Sequence, residues 1–148
     1  MTSDQHQALQ RQAVAKEAES WLETPYHHHA RIKGVGVDCA QFLCAVYENT
    51  GLIPPVDPGT YAVDWHLHHS EEKFSGWMEK YAHLQAPGTP LGLGDVVLWK
   101  YGRCFSHGSI YVGDGIFVHS YLRLGVIKSR AAEEPLCGRE LQHWSFWS

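Results

Sequence analysis

Three residues of this chain combine the side chains and the spacing of an amide-cleaving site. Cys39 follows a loop bearing Gly34 and Gly36 and opens an apolar helical stripe of Cys39, Phe42, Leu43, Val46 and Tyr47. A thiol attacks as its thiolate, and a helix start favours that anion through unpaired N–H groups and the positive end of its dipole. Position alone thus leads us to expect a thiol with a lowered pKa. His107 precedes the run SIYV and His119 ends the run IFVH, with Gly113-Asp114-Gly115 between the runs as a hairpin signal. A three-residue connection sets Ser109 opposite His119 and makes His107 a diagonal neighbour on the same face. A two-residue connection sends the two rings to opposite faces. Nucleophile, base and a third group fixing the base's tautomer are the parts of an acyl-transfer site. Taken singly, a cysteine is more often a small core residue and a strand histidine a packing residue. Their combination is what argues for chemistry.

These residues need elements to carry them. Leu9, Val14, Ala18, Trp21 and Leu22 recur at helical spacing, and the pattern predicts a first helix over 7–22, stopped by Pro25. A loop fills 26–37. The second helix is expected from Asp38 or Cys39 to Asn49–Gly51. Pro54, Pro55 and Pro58 mark an extended linker over 52–63. Phe74, Trp77, Met78, Tyr81 and Leu84 predict a third helix starting near Ser70. After Pro87 and Pro90 the pattern turns to short β runs: 95–99, 109–112, 116–119 and 126–128. The aromatic C-terminus, HWSFW, is a last strand or an exposed docking segment. Helices first and strands second predict an α+β domain, its N-terminal helices packed on a C-terminal antiparallel sheet.

Composition bounds the function. The 148 residues make one domain's length, read here as a single domain over 1–148. Lys and Arg number 12 against 16 Asp and Glu, a net charge of −4 that disfavours a nucleic-acid partner. No 18-residue apolar run exists, so no membrane span is expected. The first twenty residues hold neither a basic nor an apolar signal region, so no secretory leader is expected. Four cysteines (39, 44, 104, 137) without a CxxC make a poor disulfide framework. Gly34-Val-Gly36 and Gly92-Leu-Gly94 do not complete a nucleotide motif, and no G-x-S-x-G elbow occurs. Histidines 27–29 and 66, 68 and 69 lack metal-site spacing and are read as a polar rim of a cleft, together with Asp64 and Trp65, so no metal or cofactor is expected. Glu71 and Glu72 read as a helix's charged first turn, and Asp95 as the end of the tight GLGD turn.

The segments TPY at 24–26, DCAQFLCAVY from Asp38, GDVVLW from Gly94 and SHGSIYVGDGIFVHS from Ser106 resemble, in order, the NlpC-type family of papain-like cell-wall cysteine peptidases. They span 24–120, and the last is the most specific. The resemblance implies Cys39 as nucleophile, His107 as general base and acid, and His119 as the orienting group. It also sets Tyr26, Asp38 and Ser106 around the oxyanion and the substrate. Family members usually cut stem peptides of bacterial peptidoglycan, commonly between D-glutamate and a diamino acid. The chain departs from the family where His27-His28-His29-Ala30 replaces Trp-Gly-Gly after TPY, and where Ala40-Gln41 replaces Ser-Gly after the cysteine.

The stretch HHHARIKGVGVDCAQFL resembles a branch found in tail-gene clusters of phages and prophages. That implies synthesis in the bacterial cytoplasm, carriage on a virion tail, tail-tip proteins as partners and action on the periplasmic cell wall. Two alternatives share the same residues. One is a tail-tip structural component docking through its aromatic C-terminus. The other is an amidase or acyltransferase on the same Cys-His-His machinery, since acyl-enzyme chemistry is common to all of these.

Overall fold

A computed structural model describes residues 2–55 and 78–147. Ten elements follow in order: α1 (Ser3–Glu19), β1 (Arg31–Ile32), β2 (Gly36–Val37), α2 (Cys39–Asn49), β3 (His83–Leu84), β4 (Val96–Tyr101), β5 (Cys104–Tyr111), β6 (Ile116–Tyr121), β7 (Gly125–Arg130) and β8 (Leu141–Ser145). β1 and β2 form a small hairpin. The other six strands form one antiparallel sheet in the order β3-β8-β4-β5-β6-β7. The architecture is α+β, as the separation of helical and strand patterns predicted.

α1 starts earlier than the apolar rhythm suggested. Thr2 and Gln5 form a reciprocal capping box, which nucleates the helix ahead of its first buried residue. Val14, Ala15 and Ala18 are buried, whereas Leu9 is 52% exposed and not part of the core. Trp21 and Leu22 lie in the turn after the helix, where Trp21 is buried against Phe42. α2 is buried along residues 39–47. Burying Phe42, Leu43 and Val46 contributes about 2 kcal/mol each. Gly51, at φ 77°, ends the helix in the left-handed region open to glycine.

The expected third helix falls mostly outside the described residues, as do His66, His68 and His69, Asp64, Trp65, Glu71 and Glu72. Its described end is helical over 78–81, with Met78 fully buried. Leu84 does not continue the helical stripe. It lies in β3, paired with Trp144 of β8 and 56% exposed, because the chain has turned extended to reach the sheet edge.

The sheet has two packed faces. Val96, Leu98, Ile110, Val118, Val126 and Trp144 pack against α1 and α2. Val97, Trp99, Tyr101 and Phe117 point the other way and are covered by Leu136. Near-continuous burial along β4 follows from cover on both faces. The C-terminal aromatic segment resolves into β8, with Trp144 3% and Trp147 5% exposed.

α1 is anchored to the turn that precedes β4. Arg11 Nη1 donates to Asp95 Oδ1 at 2.9 Å and to the Leu93 carbonyl at 2.8 Å, and its guanidinium lies 4.2 Å from the Trp147 ring centre. Asp95 Oδ2 is also bonded to His143 Nε2 at 2.6 Å and accepts from the Gly92 N–H at 2.9 Å. Asp95 closes the GLGD turn as expected, and in addition neutralises a buried cluster.

Candidate active site

The connection between β5 and β6 is the odd loop that the two histidines require. Val112 N–H donates to the Ile116 carbonyl, and Gly113, Asp114 and Gly115 all have positive φ. The register pairs Ile110 with Val118 and Tyr111 with Phe117. Continued by one step, it sets Ser109 opposite His119 and leaves His107 diagonal to it.

A second irregularity aims His107. β4 and β5 pair Trp99 with His107 and then Lys100 with Phe105, so Ser106 is one extra residue in β5. Such a bulge bends its strand and re-aims the neighbouring side chain. His107 Nε2 and His119 Nδ1 then lie 2.8 Å apart, with the rings edge-on. The other nitrogen of His119 meets Ser129 Oγ of β7 at 2.9 Å. Tyr101 and Tyr121 enclose His107, with ring centres at 5.2 and 5.4 Å. Arg139 stacks on Tyr101 at 3.5 Å.

α2 lies against both β5 and β6. The Gly108 N–H of β5 points at the Cys39 sulfur, and from β6 the Ser120 hydroxyl donates to the Val37 carbonyl at 2.7 Å. The thiol thus sits beside the strand residue next to His107. Glycine at 108 leaves this approach free of a side chain.

Asp38 makes the helix begin at Cys39. Its Oδ1 accepts from the Gln41 N–H at 2.8 Å, an N-cap, and its Oδ2 accepts from the His29 N–H at 2.6 Å. Both oxygens of the fully buried carboxylate therefore hold local structure around Cys39. Tyr26 is half-buried, and burial, joined by Cys39 in its thiolate form and by the Asp38 charge, raises its phenol pKa. Ser106 is fully buried, and its hydroxyl has no hydrogen-bond partner among the described residues.

The electrostatics correct one expectation. The Cys39 pKa is not lowered: burial, aided by the Asp38 charge, pushes it up to about 12. The N–H groups of Gly108, Ala40 and Cys39 act in the opposite direction and are outweighed. A helix start aimed into a dry core loses its advantage, because desolvating the anion costs more than the dipole returns. His119 is shifted down to about 4 by burial and is a neutral ring near neutrality.

Ser129 escaped the sequence reading, which ended the last short β run at residue 128. β7 continues to Arg130, and Phe117 pairs with Ser129, which makes Ser129 diagonal to His119. Extending the alternation of 126–128 by one residue was the available signal. Among the described residues no group of His, Cys, Asp and Glu is placed to hold a metal ion.

A sheet carrying paired imidazoles beside a helix-start cysteine defines a papain-like class of domain. Residues 23–144 match the NlpC/P60 family, and the chain belongs to it. Among curated proteins none matches the chain in sequence. Among solved structures, the NlpC/p60 domain of the peptidoglycan hydrolase SagA is similar at 19% identity and TM-score 0.60, covering 89% of this chain and 96% of that one. NlpC2 from Trichomonas vaginalis is similar at 14% identity and TM-score 0.68, covering 94% of this chain and 47% of that one. An NlpC/P60 family protein from Bacillus cereus shares 18% identity at TM-score 0.61, covering 89% of this chain and 39% of that one. The chain thus spans nearly all of the SagA domain and less than half of the other two.

Proposed function

We propose that this protein is a cysteine peptidase that hydrolyses amide bonds in the stem peptides of bacterial peptidoglycan, at the D-glutamyl–diamino acid bond. The observation that carries the reading is the His107–His119 hydrogen bond, formed from the strand whose Gly108 acts on Cys39. The family match and the likeness to a domain of a peptidoglycan hydrolase support the substrate class.

The chemistry follows from the neutral thiol. His107 Nε2 is bonded to His119, and in this mechanism Nδ1 is the nitrogen that takes the thiol proton. The Cys39 proton passes to Nδ1 as the sulfur bonds to the amide carbonyl carbon, and the carbonyl π pair becomes the oxyanion. The N–H groups at the start of α2 are the donors for that oxyanion. Collapse expels the amine, which takes the proton from His107 and leaves a thioester. Water then attacks the thioester while His107 takes its proton, and the sulfur leaves and is reprotonated.

The docking alternative relied on exposed C-terminal aromatics, yet Trp144 and Trp147 are buried in the core. Carriage on a phage tail remains part of the proposal, supported by the resemblance of residues 27–43 alone.

Digestion of defined muropeptides by the wild type and Cys39→Ala, with products identified by mass spectrometry, tests the reading. The wild type should release a fragment ending in D-glutamate, and Cys39→Ala none. Turnover by a folded Cys39→Ala protein would overturn the nucleophile. Intact muropeptides after wild-type treatment would overturn the substrate.

A further inference from the structure

We propose that Ser129 is a positioning residue that supports the charged form of His107 by accepting the ring proton of His119. The inference deepens the reading above and rests on it.

In the attack step His107 takes the thiol proton at Nδ1 and becomes an imidazolium, with hydrogens on both nitrogens. Its Nε2–H must then donate to His119 Nδ1, 2.8 Å away. That fixes the tautomer of His119: Nδ1 accepts, so the ring hydrogen is on Nε2. This N–H points at Ser129 Oγ, 2.9 Å away. His119 is fully buried and Ser129 is 4% exposed, so the hydroxyl stands where solvent would otherwise serve. A buried N–H with no acceptor carries the full desolvation penalty. A His107 ring that is to take the thiol proton at Nδ1 already carries its hydrogen on Nε2, so the reactive resting pair has the same arrangement, with Ser129 accepting. As His107 becomes charged its Nε2–H donates more strongly and polarises the chain of hydrogen bonds, so the acceptance by Ser129 gains strength toward the transition state, which is the condition for a rate effect.

The register places it there. Tyr121 pairs with Gly125 and Phe117 with Ser129, so the β6–β7 turn delivers the hydroxyl diagonally to His119. The neighbouring inward residue of β7, Ile127, faces His119 and has no acceptor side chain.

The test uses Ser129→Ala, Ser129→Thr, Ser129→Cys, His119→Ala and the double variant His119→Ala/Ser129→Ala. Two rates are read: muropeptide turnover, and iodoacetamide alkylation of Cys39 followed by site-resolved mass spectrometry. Ser129→Ala should lower kcat about tenfold with KM unchanged, and slow alkylation to a similar extent. Ser129→Thr, which keeps the hydroxyl, should restore most of both rates. The double variant should be no slower than His119→Ala, because Ser129 acts only through that ring. If Ser129→Ala does not fold, Ser129→Cys keeps the shape with a weaker acceptor and should show the same loss. Wild-type rates in folded Ser129→Ala, or losses that add in the double variant, would overturn the proposal. If the wild type cleaves no muropeptide while Ser129→Ala still slows alkylation, the peptidoglycan reading falls and the relay stands.

Discussion

The Gly108 N–H of β5 points at the sulfur of Cys39, joining the first residue of a helix to the strand that carries His107. Burial sets the terms of that contact. The thiol is held protonated, and in the proposed mechanism its proton leaves to His107 as the carbonyl is attacked.

The alkylation profile of free enzyme should reflect this. Cys39 reactivity toward iodoacetamide should keep rising through pH 8–10, with no plateau near neutrality, since its pKa is pushed up to about 12. Asp38→Asn removes the charge that opposes the thiolate and keeps one acceptor for the cap on Gln41, losing the bond from the His29 N–H. It should move the profile to lower pH and quicken alkylation at pH 8. A plateau near pH 7 in the wild type would contradict the burial argument.

Acid stability should carry the signature of His119. Its folded pKa, about 4, lies below the ordinary 6.5. Between those values the unfolded chain binds a proton that the folded chain does not, so stability rises with pH in that window. The contribution is fully present above pH 6.5 and is lost progressively as pH falls to 4, about 3 kcal/mol in all. Urea midpoints measured from pH 4 to 7 should show this slope, and His119→Gln should flatten it.

Gly125→Ala should destabilise the protein by about 2–3 kcal/mol. Gly125 has φ 77°, and an added Cβ would lie 2.5 Å from the Thr24 carbonyl oxygen. That carbonyl accepts from the Val126 N–H at 2.9 Å, so the clash would push apart β7 and the segment leading to Tyr26. Urea unfolding reads the loss, and muropeptide turnover should fall with it.

Arg11→Ala separates stability from chemistry. It removes the cation from Asp95, whose side chain is 3% exposed, while Arg11 itself is 25% exposed. The loss should be about 2 kcal/mol, tempered by the partial exposure of the arginine. The Cys39 alkylation rate at 25 °C should stay at the wild-type value.

Much of the fold was legible because its signals are local. Proline and glycine punctuation located α2, and the switch from helical to alternating periodicity located β4 to β7. The β1–β2 hairpin escaped notice, since its strands have two residues each and no alternation to read. The start of α1 carries no apolar signal, because a capping box begins it. β3 was unreadable for a similar reason: pairing with β8, not its own pattern, makes His83–Leu84 a strand.

The sequence alone determined the chemical cast: a cysteine at a helix start, two histidines twelve positions apart, and between them a Gly-Asp-Gly turn signal whose length, settled by the register, decides whether their rings share a face. Chain connectivity carries that information, because backbone periodicity and turn length act over a few residues. Tertiary structure decided what the cast can do. It buried Cys39 enough to keep its proton, turned Asp38 inward as a cap, and brought Ser129 to the far side of His119. Desolvation and cross-strand register depend on what other segments place nearby, and no local spacing encodes them.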